Sequence, residues 1–378
     1  VPVPKPSFTI GIEEEYLIVD RETRALVSDP PAGMLEECGR RLEGRVSPEF
    51  LRAQIEIGTH PHSEIQHLAA DLADTRRAVC EVAEGYGAAI IASSTHPFAL
   101  WWEQMPTPKE RYQALAQDLG AVAHRLVICG MHVHVGIEDP DLRIDLMDQV
   151  TYFLPHLLAL TTSSPFWGGR NTGLKSYRMS VFRALPRTGL PEHFTSWGEY
   201  VRHIGVLVDA GIIEDGTKVW WDVRPSARYP TLEMRIADVC TRLADAVSVA
   251  SLFVSILHML YRRRLENQRW RTYANFLINE NIWRAQRYGC RGSLMDYGKG
   301  ELVPFPDLMA ELVEMVSEDA AELGCLDEVR RIGEIVQTGT SAERQVQLYE
   351  RLVADGSDPD DALRAVVDLL VEDTLTGL

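Results

Sequence analysis

None of the patterns GxGxxG, GxxxxGK[ST] or GxSxG occurs in the 378 residues, which removes the common phosphate-cradling loops and the serine nucleophile elbow. A CxxC pair is missing as well. Cys38, Cys80, Cys129, Cys240, Cys290 and Cys325 lie far apart, so neither a zinc ribbon nor a redox dithiol is indicated, and a reducing cytoplasm is the expected compartment. The longest apolar stretch, Ala246 to Tyr261, falls short of the roughly 20 residues needed to span a bilayer and contains Ser248, Ser251, Ser255 and His258. It reads as a core helix. Val1 to Ser7 holds Lys5 and three prolines but no apolar run, so no signal peptide is expected there. Positive charge is scarce too: 38 Lys and Arg against 55 Asp and Glu give a net charge of -17. Nucleic acid and anionic membrane are therefore not expected as partners, since both demand a basic surface.

What remains is an ordinary globular composition, 46% hydrophobic and 25% charged, able to fold on its own. No repeat, low-complexity tract or Gly/Ser/Pro linker divides the chain, and one domain spanning 1–378 is expected. Segments with two-residue alternation recur through the first 240 residues among helical ones, while roughly 241–378 reads as almost purely helical. The fold class is α+β. Leu68, Leu72, Val79 and Val82 predict a helix over Ile65 to Gly85 that runs out at Gly85 and Gly87. The last helix begins at Asp358 as cap and Pro359 in the first turn, with Leu363, Val366, Val367 and Leu370 as its apolar stripe.

Chemistry appears when each strand candidate is split into its two faces, because successive side chains point to opposite sides. In Phe8 to Val19, Glu13 and Glu15 share the less apolar face and Glu14 points the other way. Leu51 to Gly58 sets Leu51, Ala53, Ile55 and Ile57 against Arg52, Gln54, Glu56 and Gly58. Leu126 to Ile137 places His132 and His134 together, opposite Val127, Cys129, Met131, Val133 and Val135. Lys218 to Arg224 gives Lys218, Trp220, Asp222 and Arg224 one face, and Thr231 to Val239 gives Thr231, Glu233 and Arg235. An antiparallel sheet with helices on its apolar side and carboxylates, imidazoles and guanidinium groups on the other is the economical arrangement.

Such faces could be solvated surface, or an ion-pair network through Arg52, Arg224 and Arg235. Carboxylates in adjacent positions repel, however, by at least several tenths of a kcal/mol per close pair. Convergent carboxylates with imidazoles suit Mg²⁺, or Mn²⁺, bridged to phosphate oxygens. One further anomaly is a stretch without acids: Ser164 to Arg187 carries Arg170, Lys175, Arg178, Arg183 and Arg187. Its Gly168-Gly169 pair and Asn171-Thr172-Gly173 turn suit a loop folded around a phosphate or carboxylate.

Taken in order, Gly11-Ile12-Glu13-Glu14-Glu15-Tyr16, Gln54-Ile55-Glu56, Thr95-His96-Pro97-Phe98, Gly130-Met131-His132-Val133-His134-Val135-Gly136 and Asn171-Thr172-Gly173 resemble signatures of the carboxylate-amine ligases of the type 2 glutamate-cysteine ligase family. So do Trp221-Asp222-Val223-Arg224-Pro225, Thr231-Leu232-Glu233-Met234-Arg235, Asn281-x-Trp283-x-Ala285-x-Arg287-Tyr288-Gly289 and Gly339-Thr340-Ser341-Ala342-Glu343-Arg344-Gln345. The resemblance spans essentially the whole chain. It implies a glutamine-synthetase-like sheet that binds ATP through divalent metals, with Glu13, Glu15, Glu56, Glu233 and His132 as metal ligands. It also implies a ligase that activates a carboxylate as an acyl phosphate and then forms an amide, with Arg235, Glu233 and His132 in the catalytic centre.

Arg178, Arg183, Lys175, His134 and Arg224 are the candidates for contacting nucleotide or substrate. The expected partners are a small carboxylate, glutamate by the resemblance, and an amine whose identity the motifs leave open. A homo-oligomer, a dimer by general prevalence, is expected. Two other readings stand beside the ligase: a metal-dependent amide hydrolase using His132 and His134, and a catalytically silent protein of the same fold that binds ATP or a metabolite.

Overall fold

A computed structural model describes residues 4–110, 112, 117 and 119–378; the first three positions of the expected leaderless N-terminus lie outside the described residues. Thirteen strands are described: β1 (Ile10–Asp20), β2 (Val46–Pro48), β3 (Gln54–Gly58), β4 (Ala88–Ile91), β5 (Met131–Gly136), β6 (Phe166–Trp167), β7 (Arg170–Asn171), β8 (Thr188–Gly189), β9 (Trp220–Trp221), β10 (Val223–Pro225), β11 (Thr231–Met234), β12 (Ser293–Asp296) and β13 (Glu301–Pro304). Seven of them form one sheet in the order β10-β11-β5-β1-β3-β2, with β4 paired to the end of β1. Every pairing in it is antiparallel.

Alternation decides which side of this sheet is covered. Ile10, Ile12, Ile55, Ile57, Met131, Val133, Val135, Leu232 and Met234 are all buried, and helices Ile65–Gly85, Pro140–Val150 and Leu243–Leu265 pack on that side. The helix Leu243–Leu265 is long and apolar enough to cross a membrane, but it is buried along nearly its whole length inside the protein. It is the central core helix. Most buried apolar side chains from Phe8 to Leu370 form one continuous cluster, and Ile128, Val181, Phe182 and Leu185 form a smaller second one.

The helix Ile65–Gly85 has the expected ends, and Gly87, at φ +74°, closes it in the left-handed conformation that glycine adopts without strain. Asp358 caps Pro359–Leu375 through the Asp360 N–H. The C-terminal part is helical apart from the short hairpin β12–β13. One expectation fails. The segment Lys218 to Arg224 is not one strand: β9 pairs in parallel with β8, β10 pairs with β11, and Asp222 forms the break between them. Its carbonyl accepts the N–H groups of Arg235 and Ile236 at 2.8 and 3.0 Å, and that local loop turns its side chain off the polar face.

Candidate active site

The pairing register sets the site. Across β1 and β5 Glu13 lies opposite His132, across β1 and β3 Glu15 lies opposite Glu56, and across β11 and its neighbours Glu233 lies opposite His134 and Arg224. Because each is two or a multiple of two residues from the next on its strand, all share one face. That face floors a cleft of about 430 Å³ whose lining includes Glu13, Glu15, Glu56, His132, His134, Glu233, Arg235, Arg224 and Arg178. Glu14 is on the reverse side and fully buried.

Within the floor, carboxylates gather into two groups. One ligand atom each from Glu13, His134 and Glu233 lie within 4.8 Å of one another, as do those of Glu15, Glu49 and Glu56. The imidazole that joins Glu13 and Glu233 is thus His134 and not His132, because β11 registers Glu233 against His134. His134 binds Thr231 Oγ1 through Nδ1 at 2.9 Å. Its Nε2 is buried without a hydrogen bond and sits 3.6 Å from Glu13 Oε1, the arrangement of a nitrogen oriented toward a metal by its partner on the other side of the ring. His132 instead approaches Glu13 Oε2 at 3.3 Å and Arg235 Nη1 at 3.5 Å.

Electrostatics differ between the groups. Burial would raise the Glu13 carboxyl, but the hydrogen bond with His132 and the close approach of the His134 imidazole hold it well below the usual carboxylate range. Burial is likewise outweighed at Glu233 by Arg235 and then Arg224; Arg224 reaches it at 2.8 and 3.2 Å, and Arg235 pairs with it through Nη1. Burial and then the Arg235 charge push His132 down to about 4. In the all-carboxylate group, burial and then the Glu56 charge push Glu15 up to about 7, and Glu49 is raised well above its ordinary value by burial and then by Glu15 and Glu56. Three carboxylates crowded together without a cation among them fit a hard divalent ion such as Mg²⁺. The mixed group fits one as well.

Glu49 was absent from the sequence reading. It lies in the turn between β2 and β3, and its neighbourhood to Glu56 comes from the folding back of that hairpin; a short Val-Ser-Pro strand gives little periodicity to find it by.

Only part of the acid-free loop reaches the cleft. Arg178 does: it is buried, and its guanidinium donates to the carbonyls of Ile236 and Arg235 at 3.2 and 3.1 Å. A β-carbon at position 130 would lie 2.5 Å from Arg178 Nη2, which is why glycine stands there. Arg183 and Lys175 are not among the cleft residues. Arg183 is consumed by Asp222 at 2.9 Å and Asn279 at 2.8 Å, and Lys175 is held by its backbone to Gln286 and Ser164 beside Gly289. Arg52 also faces elsewhere, paired with Asp29 at 2.6 Å.

The motif from Gly339 to Gln345 lies outside the cleft and is tied into its support. Thr340 and Glu343 form a capping box, Gln345 donates to the Ser163 carbonyl at 2.9 Å, and Asp238 accepts from Ser163 N, Ser164 Oγ and Ser176 Oγ. Ser164 Oγ in turn accepts the Arg178 N–H at 3.1 Å. This chain of contacts fixes where Arg178 stands.

Comparison with known proteins follows the same lines. The profile of glutamate-cysteine ligase family 2 matches residues 9–367. A Rhodospirillum rubrum protein named "Putative glutamate–cysteine ligase 2" is 59% identical, covering 99% of this chain and 97% of that protein. One of the same name from a Jannaschia species is 52% identical over 97% of this chain and 96% of its own. Among solved structures, glutamate–cysteine ligase from Francisella tularensis in complex with AMP superposes with a TM-score of 0.70 at 13% identity, covering 100% of this chain and 90% of that one. A bifunctional glutathione synthetase from Pasteurella multocida gives 0.67 at 16% identity, covering 97% and 52%. These two establish a shared fold.

Proposed function

The chain belongs to glutamate-cysteine ligase family 2, and from that premise we propose which residues of this ATP-dependent carboxylate–amine ligase carry each part of its reaction. The observation that carries the proposal is the pair of carboxylate groups on the cleft floor, flanked by Arg235, Arg224 and Arg178. Glu13, His134 and Glu233 would hold one Mg²⁺, and Glu15, Glu49 and Glu56 a second. Bound there, the ions would neutralise the phosphates of ATP and the charge that develops during transfer.

In the first step an oxygen of the substrate carboxylate bonds to the γ-phosphorus as the bond to the ADP oxygen breaks, giving an acyl phosphate and ADP. In the second the amine adds to the acyl carbon, a proton leaves the nitrogen, and phosphate departs to leave the amide. Arg235, half-buried beside Glu233, supplies two coplanar N–H groups to the transferring phosphoryl oxygens. Glu233, locked between Arg235 and Arg224, keeps that guanidinium aimed. Arg178 directs its N–H groups to backbone carbonyls and not to a carboxylate, so its charge is available to a phosphate or to the carboxylate substrate. His132, driven toward its neutral form by burial and Arg235, can accept or donate one hydrogen bond beside Glu13 without adding repulsion to a metal.

Glutamate as the carboxylate and cysteine as an amine are the substrates suggested by the relatives' names. One catalytic domain, supported by the continuous core, carries the whole reaction, and a cytoplasmic setting accords with the absence of any disulfide among the six cysteines. Neither the hydrolase nor the silent binding protein is favoured. The test is ADP release with Mg²⁺, ATP and glutamate across a panel of amines. ADP formation that needs both carboxylate and amine is expected; amide hydrolysis without ATP would overturn the assignment.

A further inference from the structure

A second cavity, of about 330 Å³, opens at the edge of the sheet, between the first turn of the helix Ala32–Arg41 and the turn that joins β2 to β3. Its walls are largely apolar, built from Ile18, Met34, Leu35, Pro48, Ile55 and Pro108. The polar groups on its inner walls are already engaged within the chain. Gln54 donates its amide N–H to the Ile128 carbonyl at 2.7 Å and accepts the Leu51 N–H at 3.4 Å, and Thr107 Oγ1 donates to the Glu49 carbonyl at 2.6 Å. Open polar atoms stand at the mouth. Asp29 Oδ1 pairs with Arg52 Nη1 at 2.6 Å, and Arg52 Nε donates to the Pro106 carbonyl at 3.3 Å, which leaves Asp29 Oδ2 and Arg52 Nη2 without a partner among the described residues.

We propose that this cavity binds a small α-amino acid with an apolar side chain, separately from the reaction cleft. A mostly apolar hollow with a few open polar groups at one end is the usual build of a small-molecule site. Its charges choose the occupant. One anion and one cation held side by side match the ammonium and carboxylate on a single α-carbon, the first beside Asp29 Oδ2 and the second beside Arg52 Nη2. The side chain then enters the apolar part. An acidic side chain does not suit it, because the inner walls offer no open donor and Glu36 stands exposed at the rim. The cavity also shares a wall with the cleft: Pro48 and Gln54 line both, and Thr107 holds the carbonyls of Glu49 and Phe50. A bound amino acid therefore rests on the turn that carries Glu49.

Isothermal titration of L-leucine into the full chain, with neither nucleotide nor metal added, tests this, and because it reads binding and not turnover, its result is independent of the ligase assignment. Saturable binding with a dissociation constant of about 1 mM or tighter is expected. Isocaproate and isoamylamine each keep the branched chain and one of the two charges, and should bind about tenfold or more weakly. Glutamate should bind more weakly than leucine. Asp29→Asn and Arg52→Gln should each weaken leucine about tenfold as well. Leu35→Trp, which fills the cavity from a partly exposed position, should abolish binding. The Asp29 and Arg52 changes lie at the open mouth, so they leave a readable result even if the tryptophan variant misfolds. No heat of binding up to the solubility of leucine, equal affinity for leucine and its two single-charge analogues, or leucine binding that survives all three substitutions and so belongs to the cleft would each overturn the proposal.

Discussion

Glu14 is enclosed by Arg76, whose Nε and Nη2 donate at 2.7 and 2.6 Å, and by the Tyr16 hydroxyl, whereas Glu13 and Glu15, one residue to either side, open into the cleft. On the inner face the charge is answered completely from within the chain: Arg76 is itself buried and also donates to the carbonyls of Cys240 and Thr241. On the outer face Glu15 meets Glu49 and Glu56, and the chain supplies no cation in that group. The first pattern is how a protein tolerates a buried charge; the second is how it keeps a place for one that must come from outside.

The comparison is broken most forcefully from the inner side. Arg76→Ala leaves Glu14 buried and unanswered, and should cost about 3 to 5 kcal/mol of stability, read as a lower denaturation midpoint. Replacing both by apolar residues, Glu14→Leu with Arg76→Met, should recover part of that loss, since two backbone carbonyls still lack a donor. If Arg76→Ala melts like the wild type, the inner pair is not structural.

Acid should expose the inner side in a second way. His96 is buried, its Nδ1 accepts the N–H groups of Phe98 and Ala99, and its Nε2 faces the Arg24 carbonyl, so the ring must be neutral. Burial pulls it from its ordinary 6.5 down to about 4. A folded value below the unfolded one means full stability above about pH 6.5, lost as pH falls toward 4. The loss should approach about 3 kcal/mol, and His96→Gln should flatten that part of the profile in urea titrations at successive pH values.

On the outer side the expected effect is kinetic. Arg235→Lys keeps the charge but not the planar fork, and should lower the rate of ADP formation on the order of a hundredfold while ATP affinity and melting temperature change little. A wild-type rate would remove Arg235 from the mechanism. A large melting drop with proportionate loss of all activity would make it a structural partner of Glu233.

The smallest effect sharpens the contrast directly. With its value raised to about 7, Glu15 destabilises the metal-free fold as pH rises from about 4.5 through 7, and Mg²⁺ should reverse this by taking the place of the proton. Thermal melts should therefore show more stabilisation by Mg²⁺ at about pH 8 than at about pH 5.5, by about 1 kcal/mol, and Glu15→Gln should erase the difference. Equal stabilisation at both would separate Glu15 from the metal.

The amino-acid sequence by itself determined the sidedness of the strands. A period of two is local and unforgiving, so Glu13, Glu15, Glu56 and Glu233 had to share a face if their strands formed one sheet, and Glu14 had to turn inward. The helix ends at Ile65–Gly85 and Asp358 were equally local. What only the tertiary structure decided is pairwise and distant: that Glu49 returns beside Glu56, that Glu233 registers with His134 and leaves His132 to Arg235, and that Asp222 falls in a break and takes Arg183 with it. The acid-free loop shows the limit most plainly. Its cations are alike in sequence, but Arg178 alone of Lys175, Arg178 and Arg183 enters the cleft, because Gly130 leaves room for its guanidinium and the carbonyls of Arg235 and Ile236 receive it. A side chain's charge is written in its own residue, whereas the partner that satisfies it lies scores of residues away and is fixed only when the strands and helices pack.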